Sequence, residues 1–147
     1  MAGMIVKAIR MSKVGGPEVM ELVDVELGDP GPGEILVKHH AIGVNYLDIY
    51  FRVGLYPQTL PIGVGQEGAG VVEKVGAGVT HLKVGDRVAH AAAPPGSYSE
   101  KQVYPQEKLV KIPDYISDEI ASCIMLKGIT SEYLLHRAYK VKKDQFI

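Results

Sequence analysis

The chain has 147 residues, with 16 basic and 17 acidic side chains and a formal net charge of −1, a balance that excludes the basic footprint of a general nucleic-acid binder. Hydrophobic residues make up 46% and charged residues 22%, an ordinary globular composition and enough chain to bury a real core. No apolar run reaches the length of a membrane span, the start M-A-G-M-I-V-K lacks the apolar stretch of a secretory signal, and the single cysteine, Cys123, excludes an intrachain disulfide, so a reducing, cytoplasmic setting is expected.

In chain order, residues 4–11 and 19–25 alternate as strands on either side of the turn signal Gly15-Gly16-Pro17. After the loop at residues 28–33, residues 34–44 form a near-continuous apolar strand that leads into G-V-N-Y-L-D-I-Y-F-R-V-G-L-Y at 43–56. Residues 45–53 are predicted as a short helix with Asn45 as its cap and Asp48 in its first turn, where a negative charge suits the helix dipole. Asn45, Asp48 and Ile49 then share one face, and Tyr46, Tyr50 and Tyr56 gather beside it; a capped surface helix whose tyrosines cover the core is the competing reading.

Further strands are predicted at 69–75, after the tight Gly85-Asp86 turn of V-G-D-R-V-A at 84–89, at 97–104 and at 108–112, all separated by Gly or Pro turns. This pattern predicts a mainly β fold, an antiparallel sheet or partly open barrel, with short helices. From Ser117, a good N-cap followed by Asp118 and Glu119, apolar residues recur at helical spacing to about Tyr139, with Gly128 as an interruption. Cys123 lies in this helix and reads as a buried, inert thiol. Residues 141–147 read as a turn entering a strand on which the chain stops, which suggests part of a longer protein.

The string Gly63-x-Gly65-x-x-Gly68 matches a dinucleotide fingerprint, but Leu60-Pro61 precedes it and the β-branched Val71-Val72 follows, so no phosphate loop is expected. Five histidines invite a metal site. His39 and His40, adjacent on a strand, point to opposite faces, while His81, His90 and His136 are scattered, so no metal is expected. No serine sits in a nucleophile elbow. What remains is an amide, a carboxylate and tyrosines beside a Gly-rich wall, a set able to orient a planar ligand and donate to a carbonyl but unable to supply electrons.

The segments G-V-N-Y-L-D-I-Y-F-R-V-G-L-Y, P-I-G-V-G-Q-E-G-A-G-V-V-E-K-V-G, V-G-D-R-V and L-K-G-I-T-S-E-Y-L-L, in this order and spacing, resemble the N-terminal, GroES-like catalytic domain of the medium-chain dehydrogenase/reductase superfamily. Within it they are similar to the zinc-free quinone oxidoreductases related to zeta-crystallin. The resemblance covers nearly the whole chain. Asn45 stands where the zinc alcohol dehydrogenases of that superfamily place a cysteine ligand, and Gln66 where they have the histidine of G-H-E. Their four-cysteine lobe is replaced by the short link at 91–96.

The resemblance implies hydride transfer from NADPH to a quinone without zinc; the alternatives are an enone or alkenal reductase, or a non-catalytic remnant. It implies a GroES-like domain at 1–116, with 117–147 as connecting helices and the first strand of a Rossmann domain that is missing here. By the same motifs, Asn45, Tyr46 and Asp48 would meet the nicotinamide, Tyr50 and Tyr56 would border the substrate pocket, and Lys127 and Thr130 would contact the cofactor. A solvated lysine and a helix cap are the rival roles of the last two, and Gln66 and Glu67 are expected to shape the wall. The apolar face of residues 120–138 predicts self-association.

Overall fold

The computed structural model describes residues 3–92 and 94–145. Its elements in chain order are β1 (Met4–Met11), β2 (Glu21–Leu27), β3 (Glu34–Gly43), α1 (Tyr46–Arg52), β4 (Ile62–Gly63), β5 (Glu67–Val75), β6 (Arg87–Ala91), β7 (Lys101–Pro105), β8 (Val110–Lys111) and α2 (Asp118–Glu132). The strands form a three-stranded sheet in the order β2-β1-β4 and a five-stranded sheet in the order β7-β3-β5-β6-β8, with antiparallel pairing throughout. They are not closed into a barrel. Residues 97–100 tie the two sheets together: the Ile9 N–H donates to the Tyr98 carbonyl at 2.7 Å, and the Glu100 N–H donates to the Lys7 carbonyl at 2.9 Å.

The apolar run of β3 is explained by its place between β7 and β5, where Ile35, Leu36 and Val37 are buried in succession. Ile35 and Val37 pack on one side with Val72, Leu82, Val88, Tyr104 and Leu109. α2 lies over β3, β5 and β6, where the small side chains of Ala69, Ala89 and Ala121 let helix and sheet approach closely. Gly43 belongs to that contact, since a Cβ there would land against the Ser122 carbonyl of α2.

The start of α2 is fixed as its sequence suggests. Ser117 caps it, with Oγ accepting the Ile120 N–H at 3.3 Å. Asp118 accepts from Arg87 Nη2 at 2.8 Å and from His40 Nδ1 at 2.7 Å. Burial works against charge on Asp118, but these two partners win and hold its carboxyl below the usual range.

Several expectations need correction. Gly128 does not interrupt α2, which runs through it to Glu132 and passes into a π-helical turn at Tyr133–Ala138. The apolar face expected to be exposed is so, with Ile120, Ile124, Ile129, Tyr133 and Leu134 on the surface, while Ala121 is buried against the sheet. Cys123 is also exposed rather than buried, because it lies on the side of α2 away from the sheet. The strand at 97–104 becomes regular only from Lys101. Residues 141–145 form no strand, and the end of that predicted strand lies outside the described residues. In the Gly63 to Gly68 stretch, the two-residue β4 and the start of β5 flank Gly65, whose φ of +99° suits glycine. Among the described residues no helix is long and apolar enough to cross a membrane.

The histidines are not all scattered. His39 and His40 do face apart, but β6 brings His90 to His39, with the two Nε2 atoms 3.2 Å apart. His39 Nδ1–H donates to the Ser99 carbonyl at 2.8 Å, and the Tyr104 hydroxyl donates to Gln102 Oε1 at 2.9 Å. His39 Nε2 therefore accepts from His90 Nε2–H, and both rings are neutral. Burial, followed by repulsion from His39, lowers the His90 pKa to about 3, and burial lowers that of His39.

A folded-state pKa depressed below the unfolded value of 6.5 means that the unfolded chain binds the extra proton. Stability should fall by roughly 1.4 kcal/mol per pH unit for such a group as pH drops from about 6.5 toward 3. Chemical denaturation between pH 7 and 4 checks this, and His90→Phe should flatten the dependence.

Candidate functional site

β3 ends at Gly43 and the chain turns at Val44 into α1, whose N-cap is Asn45 as the sequence predicts. The Asn45 N–H donates to Asp48 Oδ2 at 3.0 Å, closing a capping box across the first turn. Both residues are buried, and their side chains lead inward to a carboxylate that the sequence reading treated as wall. Glu67, the first residue of β5, is completely buried.

Glu67 Oε2 accepts from Asn45 Nδ2 at 2.8 Å and from Lys127 Nζ at 3.2 Å, while Oε1 accepts the Leu126 N–H of α2 at 2.9 Å. Lys127 Nζ also donates to Asn45 Oδ1 at 2.7 Å. Asn45, Glu67 and Lys127 thus form a closed triangle joining α1, β5 and α2. A buried carboxylate is tolerated only when it is matched this fully. The Lys127 side chain is 55% exposed, so the triangle opens to solvent along the lysine.

A second pair adjoins it. The Tyr98 hydroxyl donates to Asp48 Oδ2 at 2.8 Å. Burial raises the Asp48 pKa against the opposing bonds from Asn45 and Tyr98, and the charge of Glu67 adds to the rise. Burial also raises Tyr98 well above the ordinary phenol range, with its bond to Asp48 and the Asp48 charge acting in the same direction. Asp48 Oδ1 is buried without a hydrogen-bond partner. A groove lined by Ile9, Leu22, His39, Ala41 and Ile42 meets the cluster only at Tyr98.

The tyrosines of α1 form an edge-to-face ladder, Tyr46 to Tyr50 at 5.3 Å and Tyr50 to Tyr56 at 5.7 Å between ring centroids. Tyr46 is 71% exposed and Tyr56 is also on the surface. None of the three hydroxyls is tied into the Glu67 triangle. The structure therefore brings Asn45, Asp48 and Lys127 together and leaves Tyr46, Tyr50 and Tyr56 as a surface ridge. Thr130 stays apart, its Oγ1 donating to the Leu126 carbonyl within α2 at 2.8 Å.

Glu67 and Tyr98 are the residues that sequence reasoning undervalued. A glutamate inside Q-E-G-A-G-V-V is itself a signal, because a charge in an apolar buried strand must find partners. Tyr98 gives no such sign, since its partner lies 50 residues away. Among the described residues no group of three or more His, Cys, Asp or Glu side chains is placed to hold a metal ion.

The Asn45 amide and the Lys127 ammonium each keep an N–H beyond those used in the triangle, and the Lys127 side chain is half exposed. Gly63 lies in β4 and Gly68 in β5, and no helix opens directly after them, so this stretch forms no phosphate cradle.

The chain is 51% identical over 142 residues to a quinone oxidoreductase of Pseudomonas aeruginosa, covering 96% of this chain and 44% of that protein. It is 45% identical to a 2-haloacrylate reductase of a Burkholderia species, covering 97% of this chain and 44% of that protein. The solved structure of Escherichia coli quinone oxidoreductase complexed with NADPH superposes with a TM-score of 0.92 at 45% identity, covering 95% of this chain and 43% of that one. The chain spans less than half the length of these relatives. The model of the Alcohol dehydrogenase GroES-like domain matches residues 31–143, and the chain belongs to that family.

Proposed function

We propose that the chain is the catalytic-domain part of an NADPH-dependent quinone oxidoreductase, with residues 1–116 forming the substrate-side domain and 117–147 leading toward a cofactor-binding domain. The observation that carries this reading is the Asn45–Glu67–Lys127 triangle, which reaches solvent through Lys127. Asn45, Tyr46, Asp48, Lys127 and Thr130 are assigned to the nicotinamide side, and Tyr50 and Tyr56 to the substrate side. NADPH, when bound, supplies the hydride. The protein contributes orientation, with Asn45 and Lys127 donating to carbonyl oxygen and Tyr50 or Tyr56 donating to the quinone oxygen as negative charge develops there.

Zinc has no part in this reading. The Lys127 ammonium lies 2.7 Å from Asn45 Oδ1 and 3.2 Å from Glu67 Oε2, so the cation of the site is the protein's own. The Burkholderia relative, whose name specifies a haloacrylate, favours α,β-unsaturated carbonyl acceptors as the second reading. A panel of quinones and enones separates the two by kcat/KM. The setting we assign is cytoplasmic.

Because the Gly63 to Gly68 stretch forms no phosphate cradle, the 147-residue chain alone should bind NADPH more weakly than low micromolar. Joined to the remaining portion of the Pseudomonas relative, it should bind tightly and reduce a simple quinone; a low-micromolar affinity for the chain by itself contradicts the assignment. In that fusion, Tyr50→Phe and Tyr56→Phe should each be tested, and loss of the substrate-facing hydroxyl should lower kcat/KM by about tenfold, the equivalent of one hydrogen bond.

Tyr98→Phe should destabilise the fold by about 1–2 kcal/mol in urea denaturation, because buried Asp48 loses a donor without gaining water. The exposed Ile120, Ile124, Ile129 and Leu134 should drive self-association of the isolated chain. Sedimentation at high concentration checks this, and a persistent monomer contradicts it.

A further inference from the structure

Glu67 makes no contact with solvent, yet it controls two groups that do the offering at the site. The Asn45 side-chain amide has two orientations of nearly equal shape. In the observed one, Nδ2 donates to Glu67 Oε2 at 2.8 Å and Oδ1 accepts from Lys127 Nζ at 2.7 Å. Turning the amide over would set its NH2 against the ammonium and its oxygen against the carboxylate, two repulsions in a buried setting. The second hold on Glu67, the Leu126 N–H on Oε1 at 2.9 Å, stops the carboxylate from rotating away. Gly43 leaves it room, since a Cβ at that position would meet Glu67 Oε2 at 2.7 Å.

We propose that Glu67 is a positioning residue of this site: through Oε2 it fixes the orientation of the Asn45 amide and holds the Lys127 ammonium, so that the remaining N–H of each is presented to a carbonyl oxygen of the ligand. The ligand class, a nicotinamide carboxamide or a quinone oxygen, rests on the function proposed above. The orientation of Asn45 does not. A glutamine at 67 has the same shape but cannot serve all the donors, because one of its arms becomes an NH2 that faces either the Leu126 N–H or the Asn45 and Lys127 donors. The shape of the wall would survive this change, while the order of the amide would not.

The test is the side-chain amide signal of Asn45 in the 147-residue chain, followed by NMR. In the wild type its two protons should be well separated in shift, with the one aimed at Glu67 protected from exchange. Glu67→Gln should collapse the pair toward free-amide values and speed exchange at least about tenfold, with the backbone signals of β5 in place. Lys127→Ala, at a half-exposed side chain, provides a second route should Glu67→Gln fail to fold. There the Asn45 proton aimed at Glu67 should remain protected, since the carboxylate alone retains it. An ordered Asn45 amide in folded Glu67→Gln, or a disordered one in Lys127→Ala, overturns the proposal. Millimolar NADPH then tests the ligand separately: an Asn45 pair that is ordered by Glu67 but unmoved by NADPH supports the positioning role and overturns the cofactor reading.

Discussion

A carboxylate sealed from water imposes conditions on everything near it, and Glu67 imposes them on three elements at once. Its place at the start of β5 brings it beneath α2, where the Leu126 N–H and the Lys127 ammonium reach it, and beside α1, where the Asn45 amide does. Removing any of these partners leaves charge or polarity unmatched in a low-dielectric interior, a cost of about 1–3 kcal/mol or more for each group. The small residues Ala69, Ala89 and Gly43 follow from the same requirement, because α2 must come close for its backbone to reach β5. The site and the helix–sheet packing thus depend on one set of bonds.

The fold holds a second buried polar centre of the opposite character. His39, His90, Tyr104 and Gln102 are linked as neutral groups within the five-stranded sheet, with His90 Nδ1 left without a partner. Burial drives the two histidines away from charge and raises Tyr104 well above the ordinary phenol value. That centre is closed. The Glu67 triangle, by contrast, carries charge and reaches solvent through Lys127. Only the second arrangement can offer hydrogen bonds to a ligand, which is why function is assigned there.

The strand-rich architecture was legible because its signals are local: alternating apolar residues, Gly and Pro turns, and Ser117 before two acids. The motif from Asn45 to Tyr56 was legible too, and α1 begins at the expected cap. The misreadings share a cause. Gly128 weakens a helix by only about 1 kcal/mol, and the continuous packing of α2 outweighs it. The apolar spacing of Ile120, Ile124 and Ile129 reads as an exposed face that wants a partner, and within this chain that face does meet water. Cys123 shares this fate. The meeting of His39 with His90, and of Tyr98 with Asp48, depends on strand order and register, which no local pattern encodes.

The most direct test of the central claim is to map reduced nicotinamide mononucleotide, the reactive half of the cofactor, onto the assigned backbone and side-chain signals of this chain. The account predicts shifts centred on Asn45, Tyr46, Asp48 and Lys127, with the groove lined by Leu22 and Ala41 left unmoved. Shifts confined to that groove, or none at the Glu67 triangle, would contradict the placement of the nicotinamide beside it.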